Sequence, residues 1–103
     1  MATYPEGPTF KDPTDEKLRG IDWTAFINSF DSPPTISQST WSADSGITVE
    51  DNSHAAGRTS CKITGGTAGV NYWVENRVVF SNGAKESRGF DVYVRDKINV
   101  SKK

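Results

Sequence analysis

The sequence has few of the residues that catalyse reactions or hold cofactors, with one cysteine and one histidine among its 103 residues. The single cysteine, Cys61, excludes an intramolecular disulfide and any zinc site built from several cysteines. A formal net charge of -1 gives no field that would draw the chain onto nucleic acid or an anionic membrane. No apolar run approaches the roughly 20 residues of a membrane helix, and the amino terminus lacks the pattern of a secretory signal. We therefore expect neither nucleic acid nor a membrane as a partner.

The residues that could carry chemistry are isolated from one another. Cys61 lies in a strand pattern that puts Arg58 and Lys62 on the opposite face, so we expect a buried thiol without the cationic setting of a reactive one. His54 has no acid–base partner among its chain neighbours, so we expect a solvated side chain. The acidic residues lack the spacing of a calcium loop, and Gly65–Gly69 lacks the Lys-Ser/Thr ending of a phosphate-binding loop. We predict no catalytic residue, no cofactor and no metal site.

Apolar and polar residues alternate over most of the chain after residue 20, which is the period of a β-strand. Turn signals separate these segments roughly every ten residues, and Asn82-Gly83 is a strong hairpin signal. No segment has the period of an amphipathic helix. The strand-like segments are residues 21–27, 35–41, 47–51, 58–64, 70–80 and 88–96. The pattern predicts an all-β fold, an antiparallel β-sandwich of about seven strands over residues 21–96.

Two aromatic residues favour an immunoglobulin-like arrangement of these strands. Trp41 lies on an early strand, where such domains bury a core tryptophan. Tyr72 follows the glycine-rich turn, where its hydroxyl could bond to upstream backbone. The odd spacing of Ile36 and Trp41 cannot put both on one face of a regular strand, so we expect a β-bulge between them.

Residues 1–20 have no periodicity and contain several prolines, which interrupt helices and central strands. We predict an extended N-terminal arm, which could reach about 65 Å along a neighbouring subunit. An ordinary frayed terminus is the alternative. Residues 97–103 are expected to form a short C-terminal tail. Large apolar residues spaced through the arm are its predicted interface anchors: Tyr4, Phe10 and Leu18.

The strand pattern leaves several large side chains on the outward face of the sheet. If Tyr72 and Phe80 face the core, Trp73 and Arg77 must point out, and Tyr93 is likewise opposite the apolar residues of its strand. Exposed Trp, Tyr and Arg together have the composition of a protein-interface hot spot. Alternatively, the arm or loops of the same chain cover these aromatics. Both interpretations make this face a docking surface.

Three segments of the sequence share a combined pattern with a known family: "IDWTAFI", "TISQSTWSADSGITVE" and "CKITGGTAGVNYWVENRVVFSNGAKESRGFDVYV". Together they resemble the fibre–tail adaptor proteins of tailed phages. The resemblance covers roughly residues 20 to 95 and is carried by the combination of these segments. It implies an immunoglobulin-like virion component. The arm and the tail lie outside it, and the long connection "INSFDSPP" and Cys61 depart from the family pattern.

The resemblance implies a non-enzymatic structural protein that joins tail or neck components to fibres or to one another. Its partners would be other virion proteins, it would be present as a homo-oligomer or in several copies per particle, and it would be made in the bacterial cytoplasm. One alternative is a decoration protein on the capsid surface. A second alternative, from another class, is a carbohydrate-binding module that uses Trp73 and Tyr93 to stack on host glycans.

Overall fold

A computed structural model describes residues 3–5 and 7–96 of the chain. Nearly all of its regular structure is β-strand, with one turn of helix. In chain order the elements are β1 (Thr3–Pro5), β2 (Thr9–Lys11), β3 (Lys17–Asp22), α1 (Thr24–Ile27), β4 (Ile36–Ala43), β5 (Ile47–Ala55), β6 (Arg58–Gly65), β7 (Asn71–Phe80) and β8 (Lys85–Val94).

These strands form two sheets that enclose one apolar core. The five-stranded sheet has the order β1-β8-β7-β4, with β2 also pairing with β8, and the three-stranded sheet has the order β3-β6-β5. β1 and β2 run parallel to β8, whereas the other neighbouring strands are antiparallel. The prediction of an all-β sandwich is confirmed.

The hairpin of β7 and β8 supplies half of the buried apolar residues of the core. Every second residue of β7 from Tyr72 to Phe80 is buried, and so are Phe90, Val92 and Val94 of β8. The predicted turn lies between these strands, because Gly83 has φ of 89° and the Asn82 carboxamide oxygen accepts the backbone N–H of residue 84 at 3.0 Å. The alternation of apolar and polar residues in the sequence therefore predicted the inward face of this hairpin correctly.

Tyr72 makes the corner contact that the sequence predicts. Its ring is buried, and its hydroxyl accepts the backbone N–H of Thr67 at 2.9 Å. The bond fixes the glycine-rich turn against the start of β7. Gly66 in this turn has φ of 95°, a conformation that residues other than glycine rarely adopt.

Asn76 is the polar centre of the core, and its side chain is fully buried. Its carboxamide oxygen accepts the Trp23 indole N–H at 3.1 Å and the Thr59 hydroxyl at 2.7 Å. Its amide nitrogen donates to the Ser39 hydroxyl at 2.9 Å and to the Thr40 carbonyl at 3.1 Å. These four bonds use the full capacity of the side chain. They tie β4, β6 and the residue before α1 to β7.

The strand predicted over Ile21–Ile27 is wrong in its second half, because β3 ends at Asp22 and α1 follows. The Asp22 carboxylate accepts the Thr24 backbone N–H at 2.9 Å, and the Ile27 N–H donates to the Trp23 carbonyl at 2.9 Å. Trp23 and Ile27 are four residues apart, so one helical turn puts both on the same side. Both are buried.

The described part of residues 1–20 differs from the predicted extended arm, because its strands pair within the two sheets. Lys11 is buried, and its ammonium group donates to the Gly65 carbonyl at 2.5 Å and the Asp12 carbonyl at 2.8 Å. The guanidinium of Arg19 lies 4.1 Å from the centroid of the Phe90 ring. These contacts hold the segment on its own sandwich. Residues 97–103, the predicted tail, lie outside the described residues.

The predicted bulge in β4 is confirmed, since the register with β7 shifts between Ile36 and Gln38. Trp41 packs against the core only in part, with its ring centroid 6.1 Å from that of Phe90. The fully buried tryptophan is Trp23. The sequence pattern predicted that Trp23 faces inward, but it did not predict that Trp23 lies at the centre of the core.

Cys61 is buried in the core, as its strand pattern predicts, and burial raises the pKa of its thiol from 9.0 to about 12. We expect a disulfide reagent at pH 8 to label the native chain at least about 1,000-fold more slowly than the urea-unfolded chain, because labelling must await unfolding. Rapid labelling under native conditions would contradict the buried position.

The Cys61 thiol also makes the stability of the fold depend on pH. Since the pKa of this thiol is higher in the folded chain than in the unfolded chain, the free energy of unfolding falls as the pH rises from 9.0 towards 12.

Candidate interaction surface

The outward face of the five-stranded sheet carries four of the residues predicted to form an interface: Phe10, Trp73, Arg77 and Tyr93. We call this group the aromatic face. Phe10 of β2 is in register with Tyr93 of β8, and Tyr93 is in register with Asn71 of β7, two residues before Trp73. The aromatic face therefore crosses three neighbouring strands.

Phe10 on β2 and Tyr93 on β8 form one end of the aromatic face. Their ring centroids are 5.2 Å apart with an edge-on interplanar angle of 60°. The guanidinium of Arg95 lies 5.8 Å from the Tyr93 ring centroid and donates to the Asn71 carboxamide at 3.2 Å. Phe10 itself is 63% exposed, so its ring offers apolar surface to a partner.

Trp73 is half-buried because its indole packs closely against β8 at Gly89. A Cβ atom at Gly89 would overlap the indole, so glycine is what allows this close approach. The indole N–H donates to the Glu75 carboxylate at 3.3 Å, and the backbone N–H of Trp73 donates to the Asp44 carboxylate at 2.8 Å. The side chain is therefore held in one orientation before any partner binds.

Arg77 continues the face along β7. Its guanidinium lies 3.6 Å from the Glu75 carboxylate, and its Nε donates to the Ser87 hydroxyl at 3.2 Å. Its side chain is 67% exposed, so the ion pair adds little stability. Glu75 thus orients both the indole on one side and the guanidinium on the other.

Leu18 does not join these four residues. Leu18 is 81% exposed, but β3 places it opposite Lys62 on the outward face of the three-stranded sheet. The backbone of Tyr4 pairs with Arg88 in β8, and its side chain lies outside the described part of the chain.

Gly89 and Arg95 contact the aromatic rings of this face but were not among the predicted site residues. Gly89 could have been found, because a glycine inside a strand often marks a close approach of another group. Arg95 lies just after the last strand and has no local pattern that reveals its contact with Tyr93.

Away from the aromatic face, the described surface offers little that could bind a ligand or carry out a reaction. A pocket of about 310 Å³ at the opposite end of the sandwich is lined by α1, the segment before β4 and the β5–β6 turn, with the exposed His54 at its rim. Among residues 3–5 and 7–96, no group of three His, Cys, Asp or Glu side chains could hold a metal ion. No helix in these ranges is long and apolar enough to cross a membrane.

The fold and this surface define a small β-sandwich protein whose main surface feature is a preorganised aromatic face. Residues 11–93 match the family model described as "Podophage GP4 fiber-tail adaptor protein gp77". The chain belongs to this family of phage structural proteins, which confirms the resemblance found in the sequence.

The other comparisons add a likeness of fold. No curated protein sequence matches the chain significantly. Among solved structures, the chain is similar to a 2,6-sialyltransferase of Vibrionaceae Photobacterium sp. JT-ISH-224, solved with CMP and lactose, with a TM-score of 0.54 and 14% identity. The match covers 92% of this chain and 18% of the sialyltransferase. At this identity the likeness shows a shared fold alone.

Proposed function

We propose that this chain is a non-enzymatic adaptor that joins tail or neck components of the virion to fibres or to one another through its aromatic face. The observation that carries the proposal is the cluster of Phe10, Tyr93 and Trp73 on one sheet, with Arg77 beside it. Family membership supplies the setting. The chain would be made in the bacterial cytoplasm and incorporated in several copies or as a homo-oligomer.

We take the domain to be immunoglobulin-like, and the strand order supports this. Such sandwiches put strands C, F and G in one sheet and strands B, E and D in the other. In chain order, β4, β7 and β8 correspond to the first set, and β3, β6 and β5 to the second. The Tyr72 hydroxyl bond to Thr67 is a further point in favour.

The aromatic face has the properties of a binding hot spot. Tryptophan, tyrosine and arginine are the residue types that most often dominate interface energies. Trp73 is already fixed by Gly89 and Glu75, so little side-chain entropy is lost when a partner covers it. Phe10 contributes apolar area that is open to solvent in the free chain. A stable junction would bury on the order of 1,000 Å² or more around these residues.

Cryo-electron microscopy of intact particles tests this function. We expect density for the chain at the tail or neck, with the aromatic face covered by another virion protein. Density spread over the capsid lattice would identify a decoration protein instead. Binding of the isolated chain to host glycans, with the face uncovered in the particle, would favour a carbohydrate-binding module.

Replacing Trp73 with alanine should weaken incorporation into the particle by roughly 30-fold, the effect of losing about 2 kcal/mol at a hot spot. The measurement is the number of copies per purified particle at limiting concentrations of the variant. The control is Val79→Ala, which truncates a partly buried residue on the same face of β7, away from the aromatic rings. Equal incorporation of W73A and V79A would show that the aromatic face does not hold the chain in the particle.

A further inference from the structure

The aromatic face depends on a strand that has little backbone support of its own. β2, which carries Phe10, has three residues and pairs with β8 in parallel. A parallel pairing is slightly less stable per residue than an antiparallel one. Gly7 and Pro8, which precede β2, belong to no strand, and proline has no N–H to donate. Side chains must therefore contribute to holding Phe10 beside Tyr93.

Arg19 of β3 reaches the start of β2 from the opposite sheet. It lies opposite the buried Cys61 in the register of β3 with β6, so its side chain points between the two sheets. Its guanidinium stacks on the fully buried Phe90 ring of β8, 4.1 Å from the ring centroid. One of its terminal nitrogens donates to the Thr9 hydroxyl, and the other donates to the Gly7 carbonyl at 2.6 Å. Arg19 therefore connects the two sheets at the start of β2.

The other end of β2 is tied to the three-stranded sheet by Lys11. Its buried ammonium group donates to the Gly65 carbonyl at the end of β6. Thr9 is half-buried and Lys11 is buried, whereas Phe10 between them is exposed. The two cationic side chains thus fix the two ends of the strand that presents Phe10.

We propose that Arg19 is a positioning residue for the aromatic face, because it holds Phe10 beside Tyr93 from the opposite sheet. Without its two hydrogen bonds, the start of β2 would be held by its backbone pairing with β8, and Phe10 would leave its place 5.2 Å from the Tyr93 ring. The face would then keep Trp73 and lose part of the apolar area that a partner covers. The docking of a partner there rests on the proposed adaptor function, whereas the placement of Phe10 does not.

Arginine suits this position because its guanidinium is planar and carries its donors in a fixed fork. The plane stacks on Phe90, while the fork reaches two acceptors that lie two residues apart, on Gly7 and Thr9. A lysine at position 19 would retain the charge but would present a single compact donor group. The role therefore belongs to the shape of the guanidinium and not to its charge alone.

Two substitutions remove the bonds of Arg19 from opposite sides. Arg19→Met can still pack on Phe90, because a thioether makes favourable contacts with an aromatic ring, but it has no donor. Thr9→Val removes one acceptor and leaves the stacking on Phe90 intact, so it serves even where R19M lowers the stability of the sandwich. The matched control is Arg58→Met, since Arg58 lies on the adjacent β6 and pairs with Asp22 at the exposed surface. R58M should leave the position of the β2 ring and the incorporation of the chain unchanged.

Nuclear Overhauser contacts between the Phe10 and Tyr93 rings measure the placement of Phe10 in the purified chain. We expect these contacts to be lost in R19M and weakened in T9V, while the contacts between the Trp73 indole and Gly89 remain. Unchanged contacts between the Phe10 and Tyr93 rings in both variants would overturn the inference and leave the adaptor function standing.

Incorporation into particles tests whether Arg19 acts through Phe10. Phe10→Ala should lower the number of copies per particle by roughly fivefold at limiting concentration, and R19M should lower it by a similar factor. The double variant should fall no further than F10A, because both substitutions remove the same contact. A fall of about 25-fold, the product of two independent effects, would show that Arg19 acts elsewhere and would overturn the inference. Wild-type incorporation of F10A would also overturn it, while W73A would still test the adaptor function.

Discussion

Replacing Asn76 with alanine should lower the free energy of unfolding by about 3 kcal/mol or more. The substitution leaves the Trp23 indole N–H and the Thr59 hydroxyl without their acceptor in a fully buried site. A buried donor without a partner costs about 1–3 kcal/mol, and here two donors are affected. It also removes the donors to the Ser39 hydroxyl and the Thr40 carbonyl and leaves a cavity.

Thermal and urea unfolding of purified N76A measure this loss. For a domain of this size the midpoint temperature should fall by roughly 12 °C or more. The matched control is Asn71→Ala, which changes the same residue type on the same strand at an exposed position. A loss for N76A no larger than that for N71A would show that the four hydrogen bonds contribute nothing net.

Gly66→Ala should cost about 2–6 kcal/mol, because two effects add at this turn. The residue has φ of 95°, which strains any side chain by about 1–3 kcal/mol. A Cβ atom there would also lie 2.7 Å from the Val94 side chain, and such overpacking typically costs about 1–3 kcal/mol. The Tyr72 ring is 3.4 Å from the same position, so the corner has little room to relax.

Gly69→Ala separates the two effects. Gly69 lies in the same turn with φ of 90°, but a Cβ atom there would meet nothing within 4 Å. We expect G69A to show only the strain, so its free energy of unfolding should exceed that of G66A by roughly 1–3 kcal/mol. Similar losses in the two variants would mean that the contact with Val94 is relieved by a small shift of β8.

The part of the fold that the sequence predicted best is the part where one face of a strand is apolar throughout. Tyr72, Val78 and Phe80 in β7 follow a strict period of two, so their inward position could be derived without any tertiary information. The Asn82-Gly83 turn and the Tyr72 corner are local features with their own residue signals. For the same reason the outward positions of Trp73 and Arg77 could be predicted.

The structure of the amino-terminal strands could not be predicted because the usual placement of apolar residues inside and charged residues outside is reversed in β3. In β3 the apolar Leu18 faces solvent, whereas the charged Arg19 covers the Phe90 ring. A cation over an aromatic ring stabilises the fold without leaving an apolar period in the sequence. The turn of helix after Asp22 was hidden for a related reason, since Trp23 and Ile27 fit a short strand and a single helical turn equally well.

The parallel pairing of the amino-terminal strands with β8 has a consequence for mechanical load. Thr3 lies beside Ser87 near the start of β8, and Lys11 lies beside Val94 at its end. A pull between residues 3 and 96 therefore acts along the strands, and the hydrogen bonds from one pair to the other are loaded together in shear. Bonds loaded in this way do not open one after another, as they would in a hairpin pulled from its open end. The sandwich can thus transmit tension between two attached proteins, although it has no disulfide to lock its ends.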